Sequence, residues 1–580
     1  MDNWLRKRAL IQPDSLALVY RGHEWSFSDL FTASVAMART LAESLQLSEE
    51  PHSSEASRLG GPTQTGMPGV ARLGEEFRQG EAGAHSARVG LLCNNSDASY
   101  IAILALMNLG VQIVMLNTRL SPDELRYQVH DAQLTQVLYT DDAEPTAREL
   151  PTASVALDTL WAAVKAELAS GEYHPSRAAA VPQTANPVIQ QPSANTNTGR
   201  ATATGPYVRP DFNLDDVMSI LYTSGTTGEP KGVMQSYGNH YWSAISGVLS
   251  SGISATDAWV CFTPLYHISG LSILIRGLIY GMPVYLFHKF DPHAVNDVLL
   301  EGKANIVSVV AYALRKLLAD LEDREAARYP ATFRYMLLGG GFFEDSLLKS
   351  CERHEVPVIR SFGMSETCSQ IIATPVSTRY LKPGASGVPL FPNQLRIGDG
   401  TIPVGAAGEI QIKAPALCVG YLNKPEKYAA AFTADGWYKT GDLGAVDADG
   451  FLYVKSRLAD LIISGGENIY PTEVEHCLLQ HPAIAEVAVV GHADSEWGFV
   501  PWAYLVAAPI ARSLSQNKAN PAQENSKCAL PSDTELISFV RTHLAAYKVP
   551  KKFIWLDQLP KTSIGKIQKF KLLELGDSPC

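Results

Sequence analysis

The chain has 580 residues and a formal net charge of −11; 46% of its residues are hydrophobic and 18% are charged. This length is too great for one hydrophobic core, so we expect several domains of roughly 100 to 200 residues each. The acidic balance disfavours non-specific nucleic-acid binding. The eight cysteines form no C-x-x-C pair and the N-terminus lacks an apolar signal core, which predicts a cytoplasmic rather than a secreted protein.

Apolar strand-like runs alternate with helical segments along most of the chain, as in "RVGLLC", "TQVLYT", "NIVSVV" and "VPVIRSFG". The most apolar stretch, residues 100–117, is interrupted by Asn108, Gly110 and Gln112. It therefore predicts a buried helix that ends at Gly110 and a strand after it, without stable membrane insertion. The fold class that we expect is α/β, with helix-flanked sheets and a β-rich part in a large multi-subdomain N-terminal body, and a small mobile α+β C-terminal domain.

A domain boundary is predicted between residues 456 and 457. Before it, "DGWYKTGDLGAVDADGFLYVKSR" predicts a hairpin around the turn Asp449-Gly450. After it, a helix and a strand begin a unit of about 120 residues. The predicted domains are thus residues 1–456 and 457–580. Polar, Gly/Pro-punctuated segments predict flexible insertions at residues 48–87, 175–210 and 510–532.

The segment "LYTSGTTGEPKGV", residues 221–233, follows a strand predicted from Val217 to Tyr222. It is not a Walker loop, because Lys231 follows Pro230 instead of Gly and precedes Gly232 instead of Ser or Thr. Alternating hydroxyls and glycines can still form an anion-binding concavity, to which a lysine adds charge. By itself the composition favours a polar surface turn.

Six motifs together resemble the adenylate-forming superfamily of acyl-CoA synthetases, luciferases and peptide-synthetase adenylation domains. Their order and spacing match that family and cover most of the chain outside the predicted insertions, which favours the phosphate-binding interpretation of the loop. Besides the loop, they are "LLGGGFF" (337–343), "SFGMSET" (361–367), "YKTGDLG" (438–444), "SRLADLIISGGENIYPTEVE" (456–475) and "LPKTSIGKIQK" (559–569).

The resemblance implies a ligase that uses ATP, Mg2+ and CoA. A carboxylate attacks the α-phosphorus of ATP, pyrophosphate leaves, and a thiol then displaces AMP from the acyl-adenylate. Glu366 is implied as the magnesium ligand, a hard oxygen donor for a hard cation. Lys566 is implied as the catalytic lysine that bridges the carboxylate and the α-phosphate, whereas Lys561, Lys569 and Lys571 are interpreted as surface charge.

The resemblance also implies the other contacts of the nucleotide and of CoA. Ser365 would touch the α-phosphate, Asp442 and Arg457 the ribose hydroxyls, and the triple glycine at 339–341 would let backbone approach the adenine and the acyl group. Gly465 and Gly466 would line the pantetheine tunnel, and Ala459 would be the hinge. The full set of cofactor-binding residues is Thr223, Ser224, Gly225, Thr226, Thr227, Gly228, Lys231, Gly339, Gly340, Gly341, Ser361, Phe362, Gly363, Ser365, Asp442, Arg457, Gly465 and Gly466.

The segment 232–292, with 363–371 and 116–125, is similar to the o-succinylbenzoate-CoA ligases of bacterial menaquinone biosynthesis. This similarity places His267, also implied in catalysis, beside Ser269, Ser369 and Gln370 at the acyl pocket. These polar groups suit a second carboxylate or a ketone, which a simple fatty acid would not need. The alternatives are another aryl- or medium-chain acyl-CoA ligase, a stand-alone adenylation domain that loads a carrier protein, or an ATP-binding protein without catalysis. The expected partners are small molecules, with a homo-oligomer left open.

Overall fold

A computed structural model describes residues 1–45, 87–170, 207–223, 230–324, 328–340, 345–378, 382–464, 467–508, 530–561 and 567–576. The chain divides into two compact units. The first comprises Met1–Ala244, Ala255–Lys289 and Ala416–Tyr428, and the second comprises Ile245–Ser254, Phe290–Pro415 and Ala429–Cys580. The three predicted insertions fall almost entirely outside the described residues, and the boundary at 456/457 stays a prediction.

The strands form five runs of hydrogen-bonded sheet, two in the first unit and three in the second. In chain order they are β1 (Leu16–Tyr20), β2 (His23–Ser26), β3 (Arg88–Leu92), β4 (Gln112–Met115), β5 (Gln136–Tyr139), β6 (Ala153–Ala156), β7 (Val217–Thr223), β8 (Lys231–Ser236), β9 (Trp259–Cys261), β10 (Val284–Leu286), β11 (Ile306–Val309), β12 (Tyr335–Leu338), β13 (Val358–Met364), β14 (Ser369–Ala373), β15 (Val388–Pro389), β16 (Gln394–Ile397), β17 (Gly408–Lys413), β18 (Gly420–Tyr421), β19 (Tyr438–Val446), β20 (Leu452–Arg457), β21 (Ile462–Ser464), β22 (Glu467–Ile469), β23 (Ile484–Asp494), β24 (Gly498–Ala507) and β25 (Lys552–Leu556).

Helices separate most of the parallel strands, as a helix-flanked sheet requires. They are α1 (Trp4–Ile11), α2 (Phe27–Ser44), α3 (Asp97–Leu109), α4 (Pro122–Asp131), α5 (Glu144–Ala147), α6 (Leu157–Ser170), α7 (Tyr237–Ser251), α8 (Ile268–Tyr280), α9 (Pro292–Leu300), α10 (Ala311–Asp323), α11 (Asp345–Arg353), α12 (Pro425–Ala429), α13 (Pro471–Leu479), α14 (Asp533–His543) and α15 (Lys569–Gly576).

Local sequence signals set several of these boundaries. The Ser121 hydroxyl caps α4 and the Glu124 carboxylate bonds back to the Ser121 N–H, a reciprocal capping box with Pro122 at the first helical position. Helix α3 ends at Gly110, whose φ of 71° is the left-handed conformation that glycine adopts most easily. The predicted buried helix ending at Gly110, followed by a strand, is confirmed.

The first unit contains the sheet β18-β8-β7-β4-β3-β5-β6. Strands β7, β4, β3, β5 and β6 run parallel, while β8 is antiparallel to both β7 and β18. In the same unit β9, β10, β1 and β2 are hydrogen-bonded in that order. The hairpin of β7 and β8 thus lies beside the parallel strands and carries the predicted phosphate loop at its turn.

The second unit contains the strand run β11-β12-β13-β14-β15, the antiparallel sheet β16-β17-β19-β20 and the sheet β22-β21-β24-β23, to which β25 adds in parallel to β24. Helices α13 and α14 contribute Val474, Leu478, Leu536 and Val540 to a buried cluster with Leu505 of β24. This last part is the expected small α+β assembly, and the predicted α/β fold class is confirmed. Among the described residues, no helix combines the length and apolar character needed to cross a bilayer.

Candidate functional site

The predicted phosphate loop begins and ends on adjacent strands of the first unit. Thr223 closes β7 and pairs in register with Lys231, which opens β8. Among the described residues, the buried Thr223 hydroxyl oxygen has no hydrogen-bond partner, which fits a group that binds a ligand oxygen. Residues 224–229 lie outside the described residues, so five predictions are not located: Ser224, Gly225, Thr226, Thr227 and Gly228.

Lys231 is held by an aromatic residue far along the chain. Its Nζ donates a 2.7 Å hydrogen bond to the Tyr421 hydroxyl and lies 4.1 Å from the centre of that ring. Tyr421 is only 3% exposed. A cation on the face of a buried aromatic ring is favourable beyond the hydrogen bond itself. The ammonium group is therefore placed at the mouth of the hairpin by contacts that no sequence spacing indicates.

A buried cluster of three polar side chains, Ser219, Gln235 and His240, joins the same two strands to helix α7. The Ser219 hydroxyl of β7 donates to Oε1 of Gln235, its cross-strand partner on β8, at 2.9 Å. His240 of α7 places Nε2 at 2.8 Å from the same hydroxyl oxygen. Burial, together with the nearby positive charge of Arg276, lowers the pKa of His240 to about 3. The imidazole is therefore neutral, and since the serine proton is used toward Gln235, Nε2 carries the donor hydrogen.

The two predicted acyl-pocket residues of the first unit lie at one helix start. His267 is the residue before α8, and its ring meets the Tyr266 ring edge-on at 4.8 Å between centroids. Ser269 lies in the first turn, and both side chains are partly exposed. Gly270 follows, where an added Cβ would collide with the backbone of Thr263 and Pro264. Close packing behind the helix start therefore fixes where His267 and Ser269 can point.

In the second unit, the predicted glycine motif follows β12 directly. A Cβ on Gly339 would lie 2.7 Å from the Ser361 hydroxyl, and Gly340 has a φ of 84°. The Ser361 hydroxyl donates to the Leu338 carbonyl at 3.1 Å, which joins β13 to β12. Backbone therefore approaches closely here, as the prediction required. Gly341 lies outside the described residues.

Strand β13 leads into the predicted magnesium and α-phosphate residues. Phe362 and Gly363 lie in the last part of β13, which ends at Met364, and a Cβ on Gly363 would collide with the carbonyl of Ser369. A single 3-10 turn, Ser365–Thr367, then carries Ser365 partly exposed and Glu366 only 6% exposed. The turn is held by Thr367, whose hydroxyl accepts the Met364 N–H at 3.0 Å.

The chain reverses after this turn and brings the remaining predicted pocket residues into β14. Ser369 has a φ of 106°, and its hydroxyl donates to Oε1 of Gln370 at 3.1 Å. Gln370 is 9% exposed. A small cavity of the second unit is lined by Gln370, Ser250 and Ser251 together with the apolar side chains of Leu337, Ile359 and Leu390. Polar and apolar groups therefore lie together beside Gln370.

Asp442 and Arg457 are direct cross-strand partners on β19 and β20. Arg457 Nε lies 2.8 Å from Asp442 Oδ1, with the Asp442 side chain 6% exposed and the Arg457 side chain 46% exposed. The hairpin predicted around Asp449-Gly450 is confirmed, and its register brings the two together. Ala459 lies just beyond, exposed in the 3-10 turn Leu458–Asp460; its hinge role stays a prediction.

Gly465, Gly466 and Lys566 lie outside the described residues. The residues on either side of the Lys566 segment are described: Lys561 and Ile567 form an antiparallel bridge. Lys561 Nζ lies 2.6 Å from Glu486 Oε1, and Lys569 Nζ lies 2.7 Å from Oε1 of Glu475, which is 7% exposed. Lys561 is exposed, in agreement with its interpretation as surface charge, whereas Lys569 is partly buried and neutralises the buried Glu475 carboxylate.

Comparison with known proteins identifies the family. The model of the AMP-binding enzyme family matches residues 70–422, and that of the AMP-binding enzyme C-terminal domain matches residues 473–566. The chain belongs to the AMP-binding enzyme family. Within this family, a 2-succinylbenzoate--CoA ligase of Listeria monocytogenes serovar 1/2a is 36% identical over 575 residues, which cover 99% of each sequence.

Solved structures of an AMP-binding enzyme from Bacillus subtilis are similar over the same length. Its o-succinylbenzoate CoA synthetase in complex with the acyl-adenylate intermediate has a TM-score of 0.76 and 33% identity, covering 99% of this chain and 98% of that one. The same enzyme with ATP and magnesium ion has a TM-score of 0.74 and 34% identity, covering 99% of both. The predicted resemblance to the adenylate-forming enzymes is confirmed.

Sequence reasoning missed two residues next to the predicted phosphate loop. Tyr421 holds Lys231, and Lys424 donates from Nζ to the carbonyl of Pro230 at 3.0 Å. Both residues are about 190 positions from their partners along the chain. A tyrosine and a lysine in "VGYLNKPEK" carry no local signal of such a contact, since their importance depends on β18 lying beside β8.

Proposed function

We propose that this chain ligates 2-succinylbenzoate to CoA with cleavage of ATP to AMP and pyrophosphate, the thioester-forming step of menaquinone biosynthesis. The observation that carries the proposal is the match over 99% of both sequences, at about one-third identity, to ligases of that substrate. The positions of the described polar residues support the same reaction and assign a task to each.

In the first step a carboxylate oxygen of the substrate attacks the α-phosphorus, the bond to the β-phosphate oxygen breaks, and pyrophosphate leaves. Thr223 and Lys231 would bind the phosphates, and the Asp442 carboxylate would accept from the ribose hydroxyls. Lys566 would stabilise the charge that develops between carboxylate and α-phosphate, a contact felt most strongly in the transition state. In the second step the CoA sulfur attacks the acyl carbon and AMP leaves.

Glu366 suits a magnesium ion, because a carboxylate oxygen is a donor that this cation prefers. The described residues contain no group of three or more His, Cys, Asp or Glu side chains placed to hold a metal. Glu366 would accordingly supply one ligand, with phosphate oxygens and water as the others, the usual arrangement for nucleotide-bound magnesium. When bound, the ion supplies neutralisation of phosphate charge.

The proposed specificity rests on the polar groups that the resemblance places at the acyl pocket. The Gln370 amide, which is 9% exposed and accepts from the Ser369 hydroxyl, would offer a hydrogen bond to the second carboxylate or the ketone of the substrate. His267 and Ser269 are proposed to line the pocket as well. We infer that the reaction takes place in the cytoplasm, where ATP and CoA are available.

A pyrophosphate-release screen tests the proposal. The purified chain would be incubated with ATP, magnesium and CoA, and with 2-succinylbenzoate, substituted benzoates or medium-chain fatty acids in turn, with the thioester identified by mass. We expect 2-succinylbenzoate to exceed every other acid by at least about tenfold in kcat/KM. A better benzoate or fatty acid would reassign the substrate, and transfer to a carrier protein in preference to CoA would reassign the acceptor.

A pair of variants connects the screen to the pocket. Gln370→Leu should raise the KM for 2-succinylbenzoate about tenfold with little change in the KM for ATP, because the buried amide is lost. Gln394→Leu makes the same chemical change at an exposed position of β16 and should leave both constants unchanged. Equal changes in the KM for 2-succinylbenzoate in the two variants would show that Gln370 does not line the pocket.

A further inference from the structure

The segment Tyr421–Lys424 is bonded directly to the β8 side of the predicted phosphate loop and, through Asp131, to the β7 side. On the β8 side, Tyr421 accepts the 2.7 Å bond from Lys231, and the Leu422 N–H donates to the Gly232 carbonyl at 2.8 Å. Lys424 Nζ donates to the Pro230 carbonyl at 3.0 Å. Three successive residues next to the loop are thus each bonded to this one short segment, and every one of these contacts lies within the first unit.

The β7 side is bound through an intermediary. The Asn423 amide donates to the backbone carbonyl of Asp131 at 2.6 Å. The side-chain carboxylate of Asp131 in turn accepts from the hydroxyl of Tyr222, the residue before Thr223, at 2.7 Å. Asn423 has a φ of 53°, in the left-handed region that asparagine adopts more readily than most residues. Both strands are therefore fixed close to the loop by one segment of four residues.

A second tyrosine strengthens the attachment at Pro230. The Tyr127 hydroxyl of α4 donates to the same Pro230 carbonyl at 3.3 Å and accepts from Lys424 Nζ at 3.1 Å. Proline has no N–H, so its carbonyl is the one backbone group by which this position can be hydrogen-bonded. Because two donors bond the Pro230 carbonyl, the backbone just before β8 is held in place.

We propose that Tyr421 is a positioning residue for ATP, acting through Lys231. Its hydroxyl and its ring face hold the lysine ammonium at the loop, so that the charge is in place before the nucleotide binds. A lysine side chain has four rotatable bonds, and holding it in one arrangement before binding lowers the entropy cost of its contact with a phosphate. The inference rests on the proposed function only in that the loop binds ATP.

The ring and the hydroxyl make separable contributions. Tyr421 is buried with Val233 and Cys418, so that Tyr421→Phe keeps the packing and the ring face and removes only the hydroxyl. A hydrogen bond from a charged donor is stronger than one from a neutral donor. We therefore expect Tyr421→Phe to raise the Kd for ATP about five- to tenfold, and Tyr421→Leu to raise it further because the ring face is lost too.

The test is direct titration of ATP with magnesium, without carboxylate, by calorimetry, on wild type, Tyr421→Phe, Lys231→Met and the double variant. Because Tyr421 acts through Lys231, Tyr421→Phe should weaken ATP binding in the wild type and have no further effect in Lys231→Met. Tyr428→Phe is the matched control, since it removes a nearby hydroxyl that bonds the Cys418 carbonyl and should leave the Kd unchanged.

Equal weakening by Tyr421→Phe with and without Lys231 would overturn the inference, because the tyrosine would then act independently of the lysine. An unchanged Kd in Tyr421→Phe would overturn it as well, while leaving the proposed function intact. A wild-type chain that does not bind ATP would overturn both. The melting temperature and the Kd for CoA are measured for each variant as well. A general loss of folded structure would weaken the binding of both ATP and CoA, whereas a local effect would weaken the binding of ATP alone.

Discussion

The two segments predicted to act on ATP, residues 224–229 and 562–566, are bordered by two different kinds of contact. The first is bordered by a lysine on a buried tyrosine and by the Pro230 carbonyl, which accepts from both Lys424 and Tyr127. The second is bordered by ion pairs, Lys561 with Glu486 and Lys569 with Glu475. Both borders use lysines, but the partners are neutral in one case and charged in the other.

The two sets of contacts differ in how strongly they depend on ionic strength. A lysine on a buried aromatic group depends little on ionic strength, whereas partly exposed ion pairs weaken as salt screens them. Lys569 also lies 4.0 Å from Asp460, the residue after the predicted hinge Ala459. The neutral contacts suit a loop that must be in place before ATP arrives. The ionic contacts all join residues of the predicted C-terminal domain, 457–580, and would move with that domain as one body in the rotation that the resemblance implies.

The largest expected effect is that of Lys566→Ala. Removing one charged donor from the developing charge should slow adenylation by about 10²- to 10³-fold, or about 3 to 4 kcal/mol, while thioester formation from preformed acyl-adenylate survives. Single-turnover measurement of both half-reactions checks this. Lys571→Ala, at an exposed position of α15, is the matched control. Equal slowing of both steps would make Lys566 a residue of folding or docking.

The free energy of unfolding, measured as a function of pH, tests the buried polar cluster of Ser219, Gln235 and His240. Folded His240 stays neutral down to a pKa of about 3, whereas an unfolded histidine binds a proton near pH 6.5. Because the unfolded state then binds more protons, this group's contribution to stability is complete above pH 6.5 and is lost as pH falls. The loss is at most about 1.4 kcal/mol per pH unit, or about 2 to 3 kcal/mol by pH 4.5.

The variant that isolates this effect is His240→Gln, which keeps a donor near Ser219 and cannot titrate. We expect it to be less stable than wild type at pH 7 and to show a shallower decline from pH 6.5 to 4.5 in denaturant melts. His130→Gln, at an exposed position of α4, should keep the wild-type slope. A slope in His240→Gln equal to that of wild type would show that this histidine is protonated in the folded state.

The smallest expected effects distinguish the two ion pairs that border the second segment. Lys569→Met should cost about 1 to 2 kcal/mol of unfolding free energy, because Glu475 is buried and keeps only the Val489 N–H among its described partners. Lys561→Met should cost about 0.5 kcal/mol or less, because both side chains of that pair are about one-third exposed. Urea melts of the two variants provide the comparison, and the reverse ranking would contradict it.

Much of the fold and part of the site follow from residues close together in the sequence. Gly110 ends its helix because glycine adopts the left-handed conformation there, and the Asp447–Gly450 turn fixes the hairpin register that pairs Asp442 with Arg457. Turn chemistry and capping depend on a few neighbouring residues, which is why the sequence predicts them. The order of the motifs likewise indicates the adenylate-forming family.

The partners of the lysines were decided by tertiary structure alone. Lys231 meets Tyr421 because β18 pairs with β8 across 190 residues of chain, and Lys569 meets Glu475 because α15 and α13 pack on β23. Strand order and helix packing determine which distant side chains come within a few ångströms, and neither periodicity nor composition encodes that order. A lysine in a polar segment has the same local appearance in solvent as on a buried carboxylate, so only its folded surroundings reveal its role.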